Sequence, residues 1–105
     1  MAETQDWAAC RVAFVETARA VQLTGVPVAA LRADWQTFTV VEVDQGLCET
    51  AVDLAREHDL RTLDALHLAA ALAVAGPDLR LATWDHRLWN AARHRGLAVL
   101  PSGLP

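Results

Sequence analysis

The sequence predicts an α/β domain built on a parallel sheet. Short β-branched or alternating runs, Thr37 to Asp44, Leu79 to Trp84 and Leu97 to Leu100, are separated by longer stretches with helical apolar spacing. Strands joined through helices pair in parallel, with right-handed crossovers. Gly and Pro fall between the periodic segments, at Thr24-Gly25-Val26-Pro27, Gly76-Pro77-Asp78 and Gly96, where they end helices. A chain of 105 residues suffices for one compact domain, and residues 1–105 read as a single unit with no repeat and no low-complexity segment.

From Trp7 to Leu23 apolar residues recur at Trp7, Cys10, Phe14, Ala18 and Val21, which predicts a helix with one buried stripe. Ala9, Val12, Ala13, Ala20 and Leu23 form a second apolar face, so burial is expected on two sides, with Arg11 and Arg19 in solvent. Glu16 falls within that second face. A short helix is expected from Ala29 to Trp35. The run Thr-Phe-Thr-Val-Val-Glu-Val-Asp over 37–44 then favours a strand. Leu47, Ala51, Leu54 and Ala55 oppose Glu49, Asp53, Arg56 and Glu57, the pattern of an amphipathic surface helix. Leu63 to Ala75 is apolar almost all round, as in a buried helix. Leu79 to Trp84 reads as a strand, Asp85 to Arg95 as a helix, and Leu97 to Leu100 as a last strand.

Charge is uneven. The net charge is −4, which argues against a generic duplex-DNA binder. Residues 1–78 carry five arginines against twelve acids, whereas residues 79–105 carry four arginines against Asp85 alone. Arg80, Arg87, Arg93 and Arg95, with His86 and His94, form a basic segment able to meet a phosphate backbone or to serve as a solvated helix face. The first residues are acidic and lack an apolar core, so neither a secretory signal nor a transit peptide is expected, nor is a membrane span, and a cytoplasmic location is. Cys10 and Cys48 lack CxxC spacing and read as reduced, packed thiols rather than zinc ligands.

Three acids stand apart by position: Glu16 on an apolar helix face, Asp64 at the start of a buried helix, and Asp85 directly after a strand. Ligand sites in open parallel sheets lie beyond the carboxyl ends of the strands, where Asp85 falls. Thr83, two residues earlier, points to the same side of the strand. Each acid also has a purely structural use. Asp85 suits an N-cap, Asp64 suits a helix dipole with Thr62 as the cap, and Glu16 suits a pair with Arg19. Carboxylates that converge repel by ~4 kcal/mol per pair at about 4 Å in an effective dielectric near 20, which a hard divalent cation or a proton relieves.

The run Arg61-Thr62-Leu63-Asp64-Ala65-Leu66-His67-Leu68-Ala69-Ala70-Ala71, followed by Leu81-Ala82-Thr83-Trp84-Asp85-His86-Arg87-Leu88, resembles the paired motifs of PIN-domain ribonucleases of the VapC toxin type. Ala91-Ala92-Arg93 and Gly96 to Pro101 are similar to that family's ending, and Val12 to Arg19 to its glutamate helix. The resemblance implies a three-layer fold, a parallel sheet flanked by helices. It implies metal-binding catalytic carboxylates at Glu16, Asp64 and Asp85, with Thr83 beside the metal. It also implies Mg²⁺ or Mn²⁺ as cofactor, single-stranded RNA as substrate, a cognate antitoxin and a homodimer. Arg80, Arg87 and Arg93 are then the candidates for RNA contact. The family pattern opens with a strand ending in an aspartate. No β-rich run precedes the Glu16 helix, so a domain lacking that first strand is expected. Asp6 reads as an N-cap rather than a replacement.

Two other functions compete with the nuclease: a catalytically impaired remnant that binds an antitoxin or a full-length relative, and an unrelated helical domain whose acids are caps and salt bridges. His67, one turn after Asp64, is expected to be packed or hydrogen-bonded rather than part of the site. Trp35, Trp84 and Trp89 have faces on which bases stack, but core packing is the expectation for Trp84.

Overall fold

The computed structural model describes residues 7–25, 27–36, 38–77 and 79–104. Within them the order is β1 (Trp7–Cys10), α1 (Arg11–Thr24), α2 (Val28–Trp35), β2 (Phe38–Val41), α3 (Gln45–His58), α4 (Thr62–Ala73), β3 (Arg80–Ala82), α5 (His86–His94) and β4 (Ala98–Leu100). The strands pair in parallel, as predicted, in two pairs. In the first, β1 lies against β2 with Trp7 opposite Phe38 and Cys10 opposite Val41. In the second, β3 lies against β4 with Arg80 opposite Ala98 and Ala82 opposite Leu100. The cap expected at Asp6, and the side-chain roles expected of Trp7 to Cys10, Val12, Phe14, Val21 and Trp35, lie outside the described residues.

The first expected helix starts too early. Trp7–Cys10 is a strand, and the helix begins only at Arg11. Trp-Ala-Ala-Cys has no strong strand preference of its own; the ladder offered by Phe38–Val41 decides it, as tertiary pairing commonly overrides local propensity. A strand therefore does precede the Glu16 helix, although it ends in Cys10 and not in an aspartate. The Arg11 guanidinium pairs with the Glu42 carboxylate just beyond β2, so the start of α1 is tied to the partner strand. The second apolar face of α1 is open at its far end, where Leu23 is 75% exposed and Ala20 is also exposed, while Ala13 is half-buried.

The core sits between α3, α4, α5 and β4. Leu47, Ala51 and Leu54 of α3, Ala65, Leu68, Ala69 and Ala70 of α4, Leu88, Trp89, Ala91 and Ala92 of α5, and Val99 form one buried cluster. The many alanines let the helices approach closely, while Leu54 and Leu68 fill the interior. The helix expected to be buried almost all round, α4, is buried or half-buried from Asp64 to Leu72, while its ends are open, with Leu63 41% exposed. That helix packs on α3, on β1 and on α5, and α5 in turn packs on β3 and β4. Through α5 it links the first strand pair to the second.

Local chemistry sets the ends. Asp44 caps α3, its Oδ1 accepting from the Leu47 backbone N–H at 2.8 Å. The turn after α5 reverses at Gly96, whose φ of +85° suits a residue without Cβ.

Candidate metal centre

Asp85 closes β3 onto α5. Its Oδ1 accepts from the Leu88 backbone N–H at 3.0 Å, so the expected N-cap is present. Its own backbone N–H donates to Thr83 Oγ1 at 3.1 Å, and the Thr83 N–H donates to the Leu100 carbonyl at 3.0 Å. Thr83 therefore continues the β3–β4 ladder and braces the turn that carries Asp85.

Asp64 stands in the first turn of α4. The N-cap position of that helix is Arg61, without a side-chain hydrogen bond, so Thr62 does not cap it. Partial burial holds the Asp64 carboxyl above the usual carboxylate range. The Asp85 charge adds to that rise and Glu16 adds a smaller push, while His67 and Arg61 oppose it. Asp85 and Glu16, from the β3–α5 turn and α1, thus both come near enough to act on Asp64 of α4.

Glu16 does not pair with Arg19. Its Oε1 accepts from His67 Nε2 at 2.9 Å, with side-chain exposures of 45% and 25%. His67 was expected to be a packed or hydrogen-bonded residue outside the site. It is hydrogen-bonded, but to a member of the acidic group, and the signal available was its position one turn after Asp64 on the same helix. Among the described residues no three His, Cys, Asp or Glu side chains stand ready as a group to hold a cation. The convergence is one of fields and second partners.

A cleft of about 350 Å³ opens beside these groups, lined by Asp64, His67, Arg80, Thr83, Val41 and Leu88 among others. Arg80 is exposed and lies on this cleft. The other basic candidates are engaged elsewhere: Arg87 pairs with Asp59 at 3.2 Å, Arg93 lies 5.0 Å over the Trp89 ring, and Arg95 faces Glu57 at 3.5 Å. Trp84 reverses its expectation. It is 79% exposed, whereas Leu88 and Trp89 of the next helix are buried. No helix among the described residues is long and apolar enough to cross a membrane.

The PIN domain family model matches residues 2–94. Ribonuclease VapC45 and Ribonuclease VapC49 of Mycobacterium tuberculosis are each 41% identical to the chain over 98 residues, which span 90% of this chain and 68% of each relative. Ribonuclease VapC46 of the same organism is 44% identical over 62 residues, 58% of this chain and 46% of its own length. Among solved structures, a toxin-antitoxin complex from Klebsiella pneumoniae superposes with a TM-score of 0.68 at 21% identity, covering 91% of this chain and 73% of that one. That likeness is one of fold.

Proposed function

The chain belongs to the PIN domain family, and on that premise we propose that it is a VapC-type endoribonuclease domain that cleaves single-stranded RNA with a divalent cation, Mg²⁺ or Mn²⁺, held by Glu16, Asp64 and Asp85. One observation carries the reading: the Asp64 carboxyl, pushed upward first by burial, is pushed further by Asp85 and to a smaller degree by Glu16, acids from separate elements. A donor set made only of carboxylate oxygens suits a hard cation. Such a cation supplies Lewis acidity there, making water a better nucleophile and offsetting charge that develops on a phosphate.

The remaining work falls to the chain. Asp85 is held by the cap to Leu88, and Glu16 by His67, so two carboxylates arrive oriented. Thr83 fixes the turn between β3 and Asp85. Arg80, on the same cleft, offers a cation to the RNA backbone, and Arg87 and Arg93 contribute more weakly because each already has a partner. A cognate antitoxin and a homodimer complete the proposal. The antitoxin is supported by the VapC names of the mycobacterial relatives and by the fold shared with a toxin-antitoxin complex from Klebsiella pneumoniae. A cytoplasmic location follows from the RNA substrate.

The test is cleavage of single-stranded RNA by the purified chain in Mg²⁺ or Mn²⁺ and in chelator. Metal-dependent cleavage that Asp85→Asn abolishes supports the proposal; cleavage that survives chelation sinks it. A second reading, a binding module without catalysis, is favoured by the way Glu16 and Asp85 are already engaged by His67 and Leu88. It requires a copurifying antitoxin or full-length relative and no cleavage under any divalent ion.

A further inference from the structure

Helices α3 and α5 each end in a histidine, His58 and His94. The two rings meet edge to face, with centroids 5.5 Å apart. A second cleft is lined by His58, Arg87, Asn90, Ala91 and His94. The α5 members recur at helical spacing, so one stripe of that helix walls the cleft, and His58 reaches it from α3. The nine residues of α5 put roughly 13 Å between His94 and the Asp85 cap, which separates this cleft from the acidic group.

His58 lacks a partner here. Its side chain is only 10% exposed, and among the described residues its Nε2 is shut off from water with nothing to hydrogen-bond. A buried polar atom in that state is costly, and a ligand that completes it removes the cost. Glu57 does not serve. Its Oε1 stands 4.0 Å from His58 Nε2, beyond hydrogen-bonding range, and its Oε2 faces Arg95 at 3.5 Å.

The surroundings set the sign of the ligand. The carboxyl end of a helix carries partial negative charge, and two such ends converge here, which favours a cation over an anion. Arg87 and Arg95 do not reverse this, because Arg87 pairs with Asp59 at 3.2 Å and Arg95 with Glu57. The donors set its class. Imidazole nitrogens suit Zn²⁺ and its first-row neighbours rather than Mg²⁺ or Ca²⁺. Two imidazoles on one tetrahedral cation, at about 2.1 Å each, hold their centroids roughly 5 Å apart, close to the separation found. Asn90 stands one turn before His94 on the same side of α5 and offers an amide oxygen for a third position, leaving a fourth to water.

We propose that His58 and His94, with the Asn90 amide oxygen, bind a divalent cation of the zinc type that ties the end of α3 to the end of α5. The site is separate from the carboxylates and does not depend on the nuclease reading.

The experiment is titration of ZnCl₂ into the full chain in excess MgCl₂, which supplies a hard cation to the carboxylates without competing for imidazole. Thermal melts and ¹⁵N spectra of the histidine rings are recorded. Saturation at one zinc per chain is expected, with a rise in Tm and with shifts at His58 and His94 among the four histidines. His94→Ala, at an exposed position, is expected to lose the zinc-dependent rise, and Asn90→Ala to show a smaller one. Unshifted His58 and His94 rings overturn the proposal, and so does a rise that survives in His94→Ala. An unchanged rise in Asn90→Ala overturns the part given to its amide. Shifts confined to His67 overturn the proposal by assigning zinc to the acidic group. The ring spectra of the unchanged chain decide the matter even where a variant fails to fold. A chain that cleaves no RNA yet binds zinc through these two rings overturns only the nuclease reading.

Discussion

His67 Nε2 lies 2.9 Å from Glu16 Oε1 and joins α4 to α1 across 51 positions of sequence. Both side chains are partly exposed, so the bond adds little to stability, typically under ~1 kcal/mol. Its use is orientation. Replacing His67 by Leu is expected to lower RNA cleavage about 10- to 100-fold, the usual effect of losing the partner that orients a ligand, with little change in Tm. Wild-type cleavage in His67→Leu refutes the orienting role.

Asp64 has a pKa raised by burial and by its acidic neighbours, so the folded chain holds that proton more tightly than the unfolded chain does. Between the ordinary and the raised value the folded state binds more protons, and stability falls as pH climbs through that window. At neutral pH the penalty is fully present. Asp64→Asn is therefore expected to melt higher than the unchanged chain at pH 7 without divalent ions, with the two converging in acid below the window. A difference that is the same at every pH contradicts this.

Added Mg²⁺ should act through the same carboxyl. A ligand at 100 times its Kd stabilises the state it binds by about 2.7 kcal/mol. Thermal melts in MgCl₂ are expected to rise for the unchanged chain and to stay flat for Asp64→Asn. Equal shifts in both proteins place the cation elsewhere.

Asp85 has two duties that substitutions separate. Asn caps helices about as well as Asp, so Asp85→Asn is expected to keep its stability within a few tenths of a kcal/mol while losing cleavage. Asp85→Ala is expected to lose both cleavage and about 1 kcal/mol, measured by urea denaturation. Retained cleavage in Asp85→Asn would mean that the residue is a cap and nothing more.

The basic residues should rank by what already holds them. Arg80→Ala is expected to lower the salt dependence of single-strand RNA binding by roughly 0.7 in slope, as for one lost phosphate contact. Arg87→Ala is expected to change it less, because Asp59 already faces that guanidinium at 3.2 Å. The reverse order would move the RNA path away from the cleft.

Much of this was legible in the chain. The helix carrying Leu47, Ala51 and Leu54, the cap residue Asp85 and the parallel strands follow from periodicity, side-chain chemistry and the order of elements, all of them local. Local pattern failed where a partner decided. Trp7–Cys10 reads as the start of a helix by spacing, and becomes a strand because Phe38–Val41 completes a ladder with it. Trp84 reads as core by its hydrophobicity, yet stands in solvent, while Trp89 and Leu88 of α5 are the buried residues.

The acids divide the same way. By itself the sequence determined which carboxylates stand at helix starts and strand ends, since those positions depend on neighbours a few residues away, and it determined the family through the runs around Asp64 and Asp85. Only the tertiary structure decided that Asp85 and Glu16 act on Asp64, and that Glu16 chooses His67 over Arg19. Contacts between α1, α4 and the β3–α5 turn are set by how the helices pack on α4, and packing leaves no mark in the spacing of any single segment.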